Sequence, residues 1–135
     1  MTVLFDHAGV ETTSIEDDAR LYVEALGLRL IRWGTHSRTG GRIAMLGDGQ
    51  EVKLELIEVH EPTGDLAHLA FRTADLATAR ADAIAAGCVS EGELRRIEAA
   101  KATTAMVRTP SGALVQLIRY EPGSPDLAAV DGGLG

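Results

Sequence analysis

The sequence predicts an α+β fold of two βαβββ modules, residues 3–60 and 64–121, whose curved mixed sheets wrap a shared cleft. Three observations predict it. The chain matches itself in pattern when shifted by the 61 positions that separate His7 from His68. Each copy carries one helix signal with a cap and a stop. Each helix is followed by apolar runs of strand period, broken by turn residues.

The repeat is one of pattern rather than identity. Phe5-Asp-His7-Ala-Gly-Val10 lies over Leu66-Ala-His68-Leu-Ala-Phe71, and Ser14-Ile15 over Asp75-Leu76. Ala44-Met45-Leu46 lies over Ala105-Met106-Val107, and Leu54-Glu55-Leu56-Ile57 over Val115-Gln116-Leu117-Ile118. Separate matches in one register exceed what chance supplies. Each copy opens on a short strand-like run around its histidine. In the first, Ser14 caps a helix with Asp17 three residues on, Ile15, Ala19, Tyr22, Val23 and Leu26 form one face, and Gly27 stops it. In the second, Asp75 caps, Leu76, Ala79, Ala83 and Ile84 form the stripe, and Gly87 follows. Strands broken at Gly40-Gly41, Asp48-Gly49 and Pro110-Ser-Gly112 complete the modules. Residues 92–101 carry good helix formers where the repeat calls for strand and loop. Residues 122–135, rich in Gly and Pro, read as a mobile tail.

Composition narrows the function classes. Thirteen Lys and Arg against twenty Asp and Glu leave a net charge of -7, which repels phosphate backbones and anionic lipid. The densest basic pair, Arg95-Arg96, is flanked by Glu93 and Glu98, so neither a nucleic acid nor a membrane is an expected partner. No apolar run approaches the roughly 20 residues of a membrane span, and the first residues lack the character of a secretory signal. One cysteine, Cys88, excludes an intrachain disulfide framework and reads as a small buried hydrophobe. Cytoplasm is the expected compartment.

Strand parity singles out four polar residues. If Leu54 and Leu56 pack on their module's helix, Glu55 faces the other side of the sheet; Val115 and Leu117 place Gln116 likewise. His7 and His68 occupy matching places on the opening strands. Singly, each has a plainer role, as a hydrogen-bonded histidine or a solvated strand face. Their equivalence in two related halves changes the weighing. Two imidazoles, a carboxylate and an amide oxygen form a set suited to Zn, Ni, Co or Mn, with Fe(II) ranked behind.

These stretches, with Ala19-Arg-Leu-Tyr22-Val-Glu-Ala-Leu-Gly27-Leu and Thr109-Pro-Ser-Gly112-Ala-Leu-Val-Gln116-Leu, resemble the vicinal oxygen chelate superfamily over about residues 3–121. That family includes glyoxalase I, methylmalonyl-CoA epimerase, extradiol dioxygenases and bleomycin-binding proteins. The resemblance places the metal ligands at His7, Glu55, His68 and Gln116, and implies a homodimer and a small substrate with two adjacent oxygens. It implies a metal-polarised carbonyl, an enolate, and a nearby carboxylate that moves the proton. The chain departs from the family at Gln116, where glutamate is usual.

That departure leaves Glu55 the one carboxylate of the set, because an amide cannot accept a proton at neutral pH. One base fits a glyoxalase-type lyase or isomerase better than a two-base epimerase. Glu58 is read as sharing Glu55's face and standing in reserve, although a rim charge is its plainer role. An Fe(II) extradiol-type dioxygenase survives as an alternative through His7, His68 and Glu55. A drug-sequestering or other ligand-binding protein is a further one, disfavoured by 4% aromatic content and by the intact ligand set. Trp33 reads as a packing residue, and His36 and His60 as solvated.

Overall fold

The computed structural model describes residues 3–37, 39–62, 66–110 and 112–128. The first module runs β1 (Val3–Thr12), α1 (Ile15–Arg20), a π-helical turn (Leu21–Ala25), β2 (Arg29–Thr35), β3 (Arg42–Gly47) and β4 (Lys53–Glu58). The second runs β5 (Leu66–Thr73), α2 (Leu76–Ala85), β6 (Val89–Ile97), β7 (Ala102–Arg108) and β8 (Leu114–Tyr120), and α3 (Pro125–Ala128) follows. Both modules are βαβββ. Their strands form one open eight-stranded sheet in the order β2-β3-β4-β1-β5-β8-β7-β6. Within each half the opening strand pairs in parallel with the last, β1 with β4 and β5 with β8; the halves join where β1 meets β5 antiparallel.

The apolar parity of the strands decides where the core sits. Ile15 and Ala19 of α1 pack on Ala44, Leu46 and Leu56, with Val10, Tyr22 and Leu54 beside them. Leu76 and Ala79 of α2 pack on Ala105 and Leu117, with Phe71 and Val115. Each helix thus covers its own half of the sheet and leaves the opposite face to the cleft. A third cluster, Ala100, Ala102 and Ile118, lies on that other side near Tyr120.

The helices follow their signals with one difference. Asp75 caps α2 by accepting from Thr78 N–H at 3.1 Å, but Ser14 caps nothing through its side chain and instead donates its hydroxyl to Asp17. The first helix is also interrupted. After Arg20 it widens into the π turn, closed by Leu26 N–H to Leu21 C=O, and Gly27 (φ +81°) ends it. Tyr22 stays on the core while Val23 and Leu26 turn outward, so the predicted stripe is buried only in its first part.

Two sequence readings are corrected or settled by packing. The helix formers of residues 92–101 lie in strand β6 and the turn after it, because Arg95 pairs with Thr104 and Ile97 with Ala102 along β7. Backbone pairing outweighs the local preference. Residues 122–128 are not a loose tail: Ser124 donates to Ala100 C=O, and Asp126, also buried, accepts two hydrogen bonds from Arg32. Residues 129–135 of the predicted tail lie outside the described residues. Among the described residues no helix is long and apolar enough to cross a membrane.

Leu56, 1% exposed between α1 and the sheet, sets a test of this packing. Leu56→Ala is expected to destabilise the fold by about 2–5 kcal/mol, whereas Leu94→Ala on the exposed edge stays within about 0.5 kcal/mol, both read by denaturant melts.

Candidate metal centre

Strand pairing builds the site. Across the β1–β5 seam, His7 stands opposite Ala70 and Gly9 opposite His68, so each histidine faces a small residue. On the far sides, Glu55 pairs with Gly9 and Gln116 with Ala70. Each acid or amide therefore looks across a small residue toward the other half's histidine. Gly9 is required at its place: a Cβ there would stand 2.6 Å from Cε1 of His68.

The resulting distances are short. His7 Nε2 lies 3.0 Å from His68 Nε2, Glu55 Oε1 lies 3.3 Å from His68 Nε2, and 3.8 Å from His7 Nε2. These three residues form a group able to hold a metal ion. Donors each about 2.1 Å from one ion stand roughly 3.0–3.5 Å apart; the two separations to His68 fall in that range and Glu55 to His7, at 3.8 Å, is slightly wider. Gln116 supplies a second sign of fit. It lines the same cleft, and its Oε1 is buried with no hydrogen-bond partner among the described residues. Such an orphaned acceptor is costly unless a ligand satisfies it. Two imidazoles, a carboxylate and an amide oxygen suit a divalent cation.

Beneath the donors lies a buried charged cluster that sequence reading missed. His7 Nδ1 bonds Asp6 Oδ2 at 2.6 Å, Tyr120 donates its hydroxyl to the same oxygen, and Lys53 Nζ lies 3.0 Å from Asp6 Oδ1. Lys53 also donates to Tyr120 Oη and to the Asp126 carbonyl. Burial pushes the Asp6 carboxyl up, but the His7 hydrogen bond, the Lys53 charge and Tyr120 outweigh it and hold it at about 2. Asp6 thus stays ionised and fixes the His7 proton on Nδ1, which leaves the Nε2 lone pair for a cation. Burial, followed by the Asp6 charge, pushes the Tyr120 hydroxyl up, so it remains a donor. Burial also raises the Glu55 carboxyl, against the pull of His7 and Arg32. The available signal was an Asp beside a candidate ligand on a strand, together with a Lys between apolar Val52 and Leu54 on the strand of Glu55.

The structure corrects other readings. Glu58 lies three residues from Glu55 and so on the opposite face, where it pairs with Arg42, itself bonded to Glu16. It is no reserve base. His36 lines the cleft. Trp33 is half exposed and lines a separate shallow groove against α1, with Arg42 over its ring. His60 is exposed, as read, whereas Cys88 is only partly buried. The cleft holds about 900 Å³ and is lined by both halves, including Glu55, His68 and Gln116.

The family model described as Glyoxalase/Bleomycin resistance protein/Dioxygenase superfamily matches residues 4–117. The chain belongs to this superfamily. Its eight-stranded sheet is the superfamily's fold, shared with solved structures of low sequence identity. A hypothetical protein from Bacillus halodurans C-125 is similar at 22% identity and TM-score 0.76, covering 92% of this chain and 99% of its own. Methylmalonyl-CoA epimerase from Mycobacterium tuberculosis is similar at 22% identity and TM-score 0.76, covering 93% and 91%. A Streptomyces coelicolor methylmalonyl-CoA epimerase variant bound to 2-nitronate-propionyl-CoA is similar at 23% identity and TM-score 0.70, covering 88% and 99%. No curated protein matches the sequence significantly.

Asp6→Asn is expected to weaken divalent metal binding by about 10–100-fold, because the amide no longer fixes the His7 ring. Titration against a chromophoric chelator measures the loss. An unchanged affinity would remove Asp6 from the site.

Proposed function

We propose that this chain is a metal-dependent enzyme of the glyoxalase type, a lyase or isomerase that moves a proton beside a carbonyl of a small substrate bearing two adjacent oxygens. One observation carries the reading: three donors from different strands stand 3.0 to 3.8 Å apart, and a buried, unpartnered amide oxygen shares their cleft. Zn, Ni, Co or Mn suits this donor set. His7, His68, Glu55 and Gln116 would hold a divalent cation, which when bound would supply Lewis acidity to a carbonyl and so acidify the neighbouring C–H.

The chain's own residues do the rest. Glu55 turns Oε1 toward the imidazoles, and its Oε2 has no hydrogen-bond partner among the described residues. Burial raises its proton affinity, so the carboxylate is a competent base for a carbon-bound proton and returns it to the adjacent carbon. Gln116 orients but carries no proton. Asp6 and Lys53 keep the His7 ring from turning.

A second reading, a two-base epimerase, draws support from the names of the similar structures, which include methylmalonyl-CoA epimerases. A second base across from Glu55 is its requirement. Glu91, on the opposite wall, is already held by Arg108 through two hydrogen bonds of 2.8 and 3.2 Å. At the position equivalent to Glu55 the second half carries Gln116, an amide that cannot serve as a base, so one base fits better.

Two measurements test the assignment. Protein purified without added metal is expected to hold one divalent ion per chain by elemental analysis. Glu55→Gln is expected to lower turnover by about 100-fold or more, the scale of a general base, while the fold and much of the metal persist. Near-normal activity in that variant would refute the role of Glu55. Deuterium uptake from solvent with retained configuration supports one base, and racemisation supports two.

A further inference from the structure

The two lines of residues that meet at the centre differ at their outer ends. One runs Arg32–Met45–Glu55–Gly9–His68 across β2, β3, β4, β1 and β5. Its counterpart runs Glu91–Met106–Gln116–Ala70–His7. The second line ends in a carboxylate that Arg108 neutralises. The first ends in a guanidinium that faces the cleft.

That guanidinium is built in place. Arg32 donates through Nε and Nη2 to the two oxygens of Asp126, at 2.9 and 3.2 Å, and Asp126 is 1% exposed. The pair is a fork of two parallel bonds, which fixes the plane of the group. Its remaining nitrogen, Nη1, makes no hydrogen bond to any described residue. It lies over Gly34, where a Cβ would stand only 2.5 Å away. Strand spacing puts the Cα atoms of Arg32 and Glu55 about 10 Å apart, two strands across.

We propose that Arg32 anchors an anionic group of the substrate: Nη1 donates to a carboxylate that the substrate carries beyond its two chelating oxygens, so the substrate is a small acid. A carboxylate suits the site better than a phosphate. The Arg32 charge is already balanced by Asp126, and the pair offers directional N–H donors rather than excess positive charge. Asp126 is then a positioning residue, which gives the α3 segment a role in substrate choice. The inference rests on the metal-centred reading above and adds the substrate class to it.

The test uses cobalt-loaded protein and two probes with the same α-hydroxy acid chelate, 2-hydroxysuccinate and 2-hydroxybutyrate, which differ by a distal carboxylate. Calorimetry on the native protein is expected to show 2-hydroxysuccinate binding about tenfold or more tighter, the scale of a charge-assisted hydrogen bond. Arg32→Gln removes this preference and leaves cobalt content and 2-hydroxybutyrate affinity unchanged. Because Arg32→Gln leaves Asp126 buried and unpaired, Gly34→Ala serves as the second variant: its methyl displaces Nη1 without removing the charge and is expected to erase the preference too. Equal affinity for both acids in the native protein overturns the inference alone, as does a preference that persists in a folded variant. A native protein that takes up no cobalt overturns the metal-centred reading and this inference together.

Discussion

The antiparallel seam between β1 and β5 is the constraint on which the site depends. It sets His7 opposite Ala70 and Gly9 opposite His68, and the parallel partners β4 and β8 then bring Glu55 beside Gly9 and Gln116 beside Ala70. A larger residue at either small position would part a donor from the opposing ring; at Gly9 a single methyl already collides with His68. Because side chains alternate along a strand, slipping the seam by one residue would put the two rings on opposite faces of the sheet and dissolve the site. Fold and chemistry are specified by the same pairing.

The duplication is not carried through beneath the donors. Asp6, Lys53, Tyr120 and Asp126 form a buried ionic cluster under His7, and the strand of His68 has Ala67 at the place of Asp6. Burying these charges is costly, and well-paired buried ions often contribute little net stability. Their effect is to fix orientation. Asp6 holds the His7 tautomer, Lys53 balances Asp6, and Asp126 ties Lys53 and Arg32 to the C-terminal segment. The cluster draws Asp6 and Lys53 from the first module, Tyr120 from the second and Asp126 from the segment that follows, so both halves hold the His7 ring in place.

Much of this was legible in the sequence, and the limits have physical causes. The repeat, the module order and the turning of Glu55 and Gln116 toward the cleft follow from apolar parity, because Leu54, Leu56, Val115 and Leu117 must face the helices. The interruption of the first helix was not legible, since the stripe through Val23 and Leu26 is compatible with a continuous helix until tertiary packing selects Tyr22 alone. Parity misapplied placed Glu58 on the wrong face. The Asp6 cluster and the seated 122–128 segment join residues distant in sequence, such as Lys53 with Asp126, and periodicity carries no information on such pairs.

The most direct measurement of the central claim is anomalous diffraction from crystals of the protein loaded with nickel or zinc. One ion per chain, bonded to Nε2 of His7 and His68 and to oxygens of Glu55 and Gln116, is the result this account predicts. An ion bound only elsewhere, or these four side chains unchanged around an empty centre at saturating metal, would contradict it.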